Sequence, residues 1–105
     1  MTRPERLDES VIETWLEGHG AWRREEGHLV RDLHTKDYPG AVEIAWSQVA
    51  LAQRLDHHPI LTVGYRELRV ELWTHDRDGL TQLDLEYASG FDELVTKQFI
   101  DTIDG

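Results

Sequence analysis

The stretch ELRVELWTH, residues 67–75, constrains this chain most. Leu68, Val70 and Leu72 alternate with Arg69, Glu71 and Trp73. A period of two sends the two sets to opposite faces of a strand, so one face is buried and the other is not. A sheet built on such a strand needs a cover on its apolar side. ILTVGY, residues 60–65, supplies a hairpin partner, with Arg66 and Glu67 in the turn between them. AWRREEGHLVRDLHT, residues 21–35, reads as a second hairpin turning near Gly27, with Leu29, Arg31 and Leu33 alternating imperfectly with Val30, Asp32 and His34.

Three helical patterns provide the cover. In SVIETWLEG, residues 10–18, Ser10 and Glu13 match a capping box, Val11, Ile12, Trp15 and Leu16 form an apolar stripe, and Gly18 and Gly20 end it. KDYPGAVEIAWSQVALAQRL, residues 36–55, starts at Asp37 as N-cap, tolerates Pro39 in its first turn, and repeats Val42, Ala45, Trp46, Val49 and Ala52 at helical spacing. TQLDLEYASGFDELVTKQFIDTI, residues 81–103, continues from Leu80 with Leu83, Tyr87, Leu94 and Ile100 as apolar positions and Gly90 as a weak point. The expected fold is α+β, a four-stranded antiparallel sheet with three helices packed on one face, in the order α-β-β-α-β-β-α. The other face is then wet or covered by a partner. Residues 1–9 read as a loose N-terminal arm.

At 105 residues the chain has room for one core, and no repeat or linker divides it. A net charge of −10 argues against holding a phosphate backbone, so nucleic acid is not an expected partner. No apolar run is long enough to span a bilayer and the N-terminus has no apolar signal core, so no membrane partner and a cytoplasmic location are expected. Without cysteine there is no disulfide, thiolate zinc site or cysteine nucleophile.

Chemistry concentrates at LDHHP, residues 55–59. His57 and His58 end a helix and enter a strand, and His75 ends the strand paired with it. The hairpin carries all three imidazoles to one edge of the sheet. Histidine changes charge near neutral pH, so such a cluster can both give and take protons. Pro59 stiffens the turn, and Asp56 and Asp84 are carboxylates able to fix a tautomer. Other readings stand beside this one. A helix C-terminus favours a cationic histidine on electrostatic grounds alone. Thr81 to Asp84, TQLD, matches a capping box that explains Asp84 without any chemistry. A three-histidine zinc site is the rival chemistry, disfavoured because adjacent helical residues diverge by roughly 100°. Trp46 and Trp73 read as packing residues, and His19, His28 and His34 as surface or hairpin residues.

The spacing as a whole resembles the pterin-4a-carbinolamine dehydratase (4a-hydroxytetrahydrobiopterin dehydratase) family. His-His-Pro is followed by five residues to Tyr65, nine more to His75 and eight more to Asp84. THDRDGLTQLDL is similar to the family's Thr-His-x-x-x-Gly-Leu-Thr/Ser-x-x-Asp stretch, and Trp22, HTKDY and VALAQRL lie where the family has comparable residues. The resemblance covers roughly residues 10–95. It implies one such domain over residues 1–105 and dehydration of a small reduced pterin to the quinonoid dihydropterin, as in tetrahydrobiopterin recycling. It implies no metal and no cofactor. It assigns acid/base work to His57, His58 and His75, with His57 as the proton donor, and substrate-binding or site-shaping places to Gln53, Asp56, Pro59, Thr74 and Asp84. It also implies a homodimer or homotetramer that uses open sheet edges and the alanine-rich helix. Gln53 departs from the pattern, since the family has an ionisable residue there, and so do Ile60 and Leu61. Gln53 keeps a second reading open, a weakly active or non-catalytic binding and assembly protein on the same fold.

Overall fold

The structure, a computed structural model, describes residues 3–104. The elements are α1 (Glu9–Glu17), β1 (Arg23–Glu25), β2 (His28–His34), α2 (Tyr38–Leu55), β3 (Ile60–Gly64), β4 (Glu67–Leu72) and α3 (Gln82–Gln98). The order is the expected α-β-β-α-β-β-α. The four strands form one antiparallel sheet in the order β1-β2-β4-β3, so the two hairpins meet at the central β2–β4 pair.

Register decides which side chains share a face. Leu29 pairs with Leu72, Arg31 with Val70 and Leu33 with Leu68. The five apolar members of this set are buried and join Ile12 of α1, Ile44 and Leu51 of α2, and Leu85, Phe91 and Val95 of α3 in one core. Arg31 is tolerated beside them because its guanidinium pairs with Asp92 and lies 5.5 Å from the centre of the Phe91 ring. The opposite face carries paired charges: Arg23 binds Asp32 at 2.8 Å and Arg69 binds Glu25 at 2.5 Å. Among the described residues no helix is long and apolar enough to cross a membrane.

Several local expectations are corrected. The N-terminal arm is not loose over residues 3–9; positions 1 and 2 lie outside the described residues. The amide of Leu7 donates to the Leu80 carbonyl at 2.9 Å, and Arg77 donates to the carbonyls of Arg3 and Pro4 at 2.9 and 3.1 Å. Ser10 does not cap α1, because the helix begins one residue earlier and Asp8 is its N-cap, with no side-chain cap bond. The turn of the β3–β4 hairpin is Tyr65–Arg66, and Glu67 already belongs to β4. The last helix stops at Gln98; the chain then folds back so that Thr35 bridges Ile103, leaving Ile100 exposed.

The larger correction concerns α2. Its buried side is Gly40, Ala41, Ile44, Gln48, Leu51 and Ala52. Of the expected stripe only Ala52 is fully buried; Val42, Trp46 and Val49 face solvent and Trp46 is 76% exposed. The polar Gln48 sits in the core because its amide is satisfied. It donates to the Ile44 carbonyl at 3.1 Å and accepts from the Tyr87 hydroxyl at 3.0 Å.

Candidate active site

The C-terminus of α2 sets the position of the two adjacent histidines. Asp56 takes a left-handed conformation, φ 48° and ψ 47°, and stops the helix. The His57 amide then donates back to the Ala52 carbonyl at 3.0 Å, satisfying one of the orphaned carbonyls of the last turn. Pro59 cannot continue a helix, so His57 and His58 leave α2 on a short non-helical step into β3. They part company there. His57 is 6% exposed and turned inward, whereas His58 is exposed.

His57 meets a buried carboxylate. Its Nε2 lies 2.6 Å from Asp84 Oδ1, and Asp84 is wholly buried. The other carboxylate oxygen accepts from the Thr81 amide and the Thr74 hydroxyl, each at 2.9 Å. Thr74 and Thr81 share a further hydroxyl contact at 2.8 Å. Asp84 therefore does both things its sequence context allows. One oxygen completes the capping box of α3 and the other holds the imidazole. Because the carboxylate accepts, the proton sits on Nε2 of His57, and Nδ1 is the ring nitrogen left for another partner.

The other two imidazoles are held differently. His58 Nε2 lies 2.8 Å from Gln53 Oε1, so the amide oxygen accepts and again places the ring proton on Nε2. His75 stacks on Trp73, with ring centres 4.2 Å apart and planes inclined by 28°. All three histidines line one cleft of about 160 Å³, together with Arg3, Asp56, Thr74 and Asp76. Arg3 crosses its mouth, 3.3 Å from Asp56 and 3.8 Å from Asp76. A larger groove of about 810 Å³ runs between α1 and α3 past Trp15 and Leu85, but no imidazole lines it. Proton-transfer chemistry therefore belongs to the smaller cleft.

The expected residues thus come together, apart from the signature aromatic. Tyr65 occupies the tip of the β3–β4 hairpin, at the opposite end of the strands from the histidines, and is 78% exposed. Pro59 shapes the backbone and has no side-chain hydrogen bond to offer. Among the described residues no group of three His, Cys, Asp or Glu side chains has the geometry to hold a metal ion. Sequence reasoning missed Arg3, which reaches the cleft because Arg77 and the Leu7–Leu80 backbone bond fasten the arm. It also passed over His28 and Trp73, which the β2–β4 register sets beside each other next to His75.

Comparison with known proteins points the same way. The family profile described as Pterin 4 alpha carbinolamine dehydratase matches residues 5–94. Proteins provisionally named pterin-4-alpha-carbinolamine dehydratase are similar over most of their length. The one from Natronomonas pharaonis is 39% identical over 91 residues, covering 87% of this chain and 97% of its own. The one from Metallosphaera sedula is 39% identical over 89 residues, covering 85% and 93%. The crystal structure of a transcriptional coactivator/pterin dehydratase from Brucella melitensis superposes with a TM-score of 0.80 at 28% identity, covering 86% of this chain and 98% of that one. A pterin dehydratase-like protein identified as a RuBisCO assembly factor in the alpha-carboxysome shares the fold, with a TM-score of 0.57 at 16% identity over 70% of this chain and 84% of that one.

Proposed function

The chain belongs to the pterin 4 alpha carbinolamine dehydratase family, and from that premise we propose that it removes water from a 4a-hydroxytetrahydropterin to give the quinonoid dihydropterin. The observation that carries this reading is the buried His57–Asp84 contact of 2.6 Å beside two further histidines. A proton must reach the leaving 4a-hydroxyl as its bond to carbon breaks, and a second proton must leave a ring nitrogen. A carboxylate that accepts from Nε2 fixes the ring and leaves Nδ1 to carry the transferred proton, as the aspartate of a catalytic triad orients its histidine. His57 is accordingly the proton donor. His58 and His75 position the substrate or take the ring-nitrogen proton. Thr74 and Asp84 hold His57, Asp56 and Pro59 set the turn that presents it, and Gln53 holds His58. The chemistry uses no metal and no organic cofactor, in a cytoplasmic protein of one domain. The same reading assigns the protein to tetrahydrobiopterin-type cofactor recycling and, with its open edge strands and exposed α2 stripe, to a homodimer or homotetramer.

The test is direct. Purified protein is mixed with chemically generated 4a-hydroxytetrahydropterin and the loss of water is followed. Wild type is expected to exceed the uncatalysed rate, with His57→Ala and His75→Ala each lowering it by about 10²-fold or more. A wild-type rate equal to the uncatalysed one ends the enzyme reading.

A second reading, a binding or assembly protein on the same fold, is favoured by Gln53, which can hydrogen-bond but cannot act as a base. The likeness in fold to a protein identified as a RuBisCO assembly factor supports this second reading. Capture of a partner from source cells that survives combined alanine substitution of His57, His58 and His75 favours this reading. Capture lost in that variant counts against it.

A further inference from the structure

Each histidine of the cleft needs something to fix its ring. For His57 it is a buried carboxylate and for His58 an amide oxygen. For His75 no side-chain hydrogen bond exists among the described residues. Its ring instead rests on Trp73. Trp73 is itself clamped from behind, since His28 lies parallel to it at 3.8 Å with an interplanar angle of 3°. His28 is fixed in turn, its Nδ1 donating to Glu71 Oε2 at 2.5 Å. The sheet register produces this stack. The last β2–β4 pair is Leu29 with Leu72, and His28 and Trp73 follow one step further on. Both point to the face away from the helices, and Glu71, two residues before Trp73, shares that face.

We propose that Trp73, braced by His28 and Glu71, is a positioning residue for His75. The sandwich converts the rigidity of the central strand pair into a set orientation of an imidazole that sits just past the strand end. Stacking fixes the plane of the ring while leaving both its nitrogens free, which a hydrogen bond does not. That suits a histidine that must exchange a proton or contact a substrate hydroxyl. The proposal rests on the dehydratase reading for what His75 does, but the placement of His75 is measurable without it.

Two readouts separate these. In NMR spectra the His75 ring protons should show upfield ring-current shifts. Trp73→Leu should abolish them, Trp73→Phe should retain part of them, and His28→Ala should broaden or partly relax them while the His57 signals stay in place. In kinetics, Trp73→Leu should lower kcat by about 10-fold to 10²-fold with a smaller change in KM, as expected when a reacting group is misplaced rather than removed. Trp73→Phe should recover most of that loss. His28→Ala, at a partly exposed position, supplies the same test if Trp73→Leu does not fold. The proposal is overturned if His75 signals are unmoved in Trp73→Leu, or in His28→Ala should Trp73→Leu fail to fold. It is equally overturned if the signals move while kcat does not. If wild type shows no dehydration at all, the enzyme reading falls, and shifted His75 signals in the variants still support the positioning role.

Discussion

Gln53 holds a ring that an ionisable residue would hold with charge. Its amide oxygen accepts from His58 Nε2, so it sets a tautomer without favouring the imidazolium. Gln53→Leu is therefore expected to release the His58 ring and to lower kcat of the dehydration by about 10-fold, whereas Gln53→Glu, which keeps an acceptor in the same place, should retain more of it. Equal kcat for Gln53→Leu and wild type would show that the Gln53 contact does not position His58 for turnover. At this scale the sequence was informative about which residues meet and less so about how. His57, His58, His75 and Asp84 were legible from hairpin geometry and spacing, and they share one site. The two competing roles of Asp84 were legible as well, but not that its two oxygens divide them. Tyr65 was grouped with the site by spacing alone, and a strand length separates it from the cleft.

The elements were read correctly in number, kind and order because their periods are distinct. Which side of an element faces inward was harder. Helix α2 carries two apolar stripes, and the buried one is interrupted by Gln48, whereas the exposed one, with Val42, Trp46 and Val49, reads as more hydrophobic. Gln48 is acceptable in the core because the Ile44 carbonyl accepts from its amide nitrogen and the Tyr87 hydroxyl, 39 residues away in sequence, donates to its amide oxygen. The docked N-terminal arm was illegible for a related reason. Arg77 grips backbone carbonyls, which every residue has and no sequence pattern marks. It also pairs with Glu5 at 3.3 Å. Arg77→Ala should free the arm, so that trypsin cleaves after Arg6 faster than in wild type, with a stability loss of about 1 kcal/mol. Arg77→Lys should restore little, because a single ammonium does not reproduce the planar fork that reaches two carbonyls. Since Arg3 bridges Asp56 and Asp76, release of the arm should also raise KM. Equal digestion rates for Arg77→Ala and wild type would mean that the arm is not held this way.

At the scale of the whole molecule, one buried pair links the core to pH. Burial pushes the Tyr87 hydroxyl well above the ordinary range for tyrosine. Its stabilising effect is complete below the unfolded-chain value of about 10 and is lost as pH rises beyond it, since the unfolded chain then releases a proton that the folded one retains. Thermal unfolding should therefore move to lower temperature above about pH 10, and less steeply in Tyr87→Phe, which at neutral pH costs about 1–3 kcal/mol for leaving Gln48 Oε1 without its donor. The outer surface of α2 raises a different question. Tyr38, Val42, Trp46 and Val49 recur at helical spacing and are all exposed. Scattered exposed apolar residues are ordinary, but a continuous stripe is a feature of interaction surfaces. On a chain of net charge −10, general self-repulsion would oppose association unless an apolar contact outweighed it. The assembly proposed for this family member therefore depends on this stripe more than on the charged outer face of the sheet. Trp46→Glu should reduce the molar mass measured by light scattering from the wild-type multimer to a smaller species, and raised salt should not restore it fully, because screening removes repulsion without restoring the lost apolar contact. His57–Asp84 lies at the other end of the fold's logic, satisfied within one chain, so the smaller species should keep its fold by circular dichroism. A wild-type protein already monomeric at high concentration, or a Trp46→Glu variant of unchanged mass, would remove α2 from the assembly.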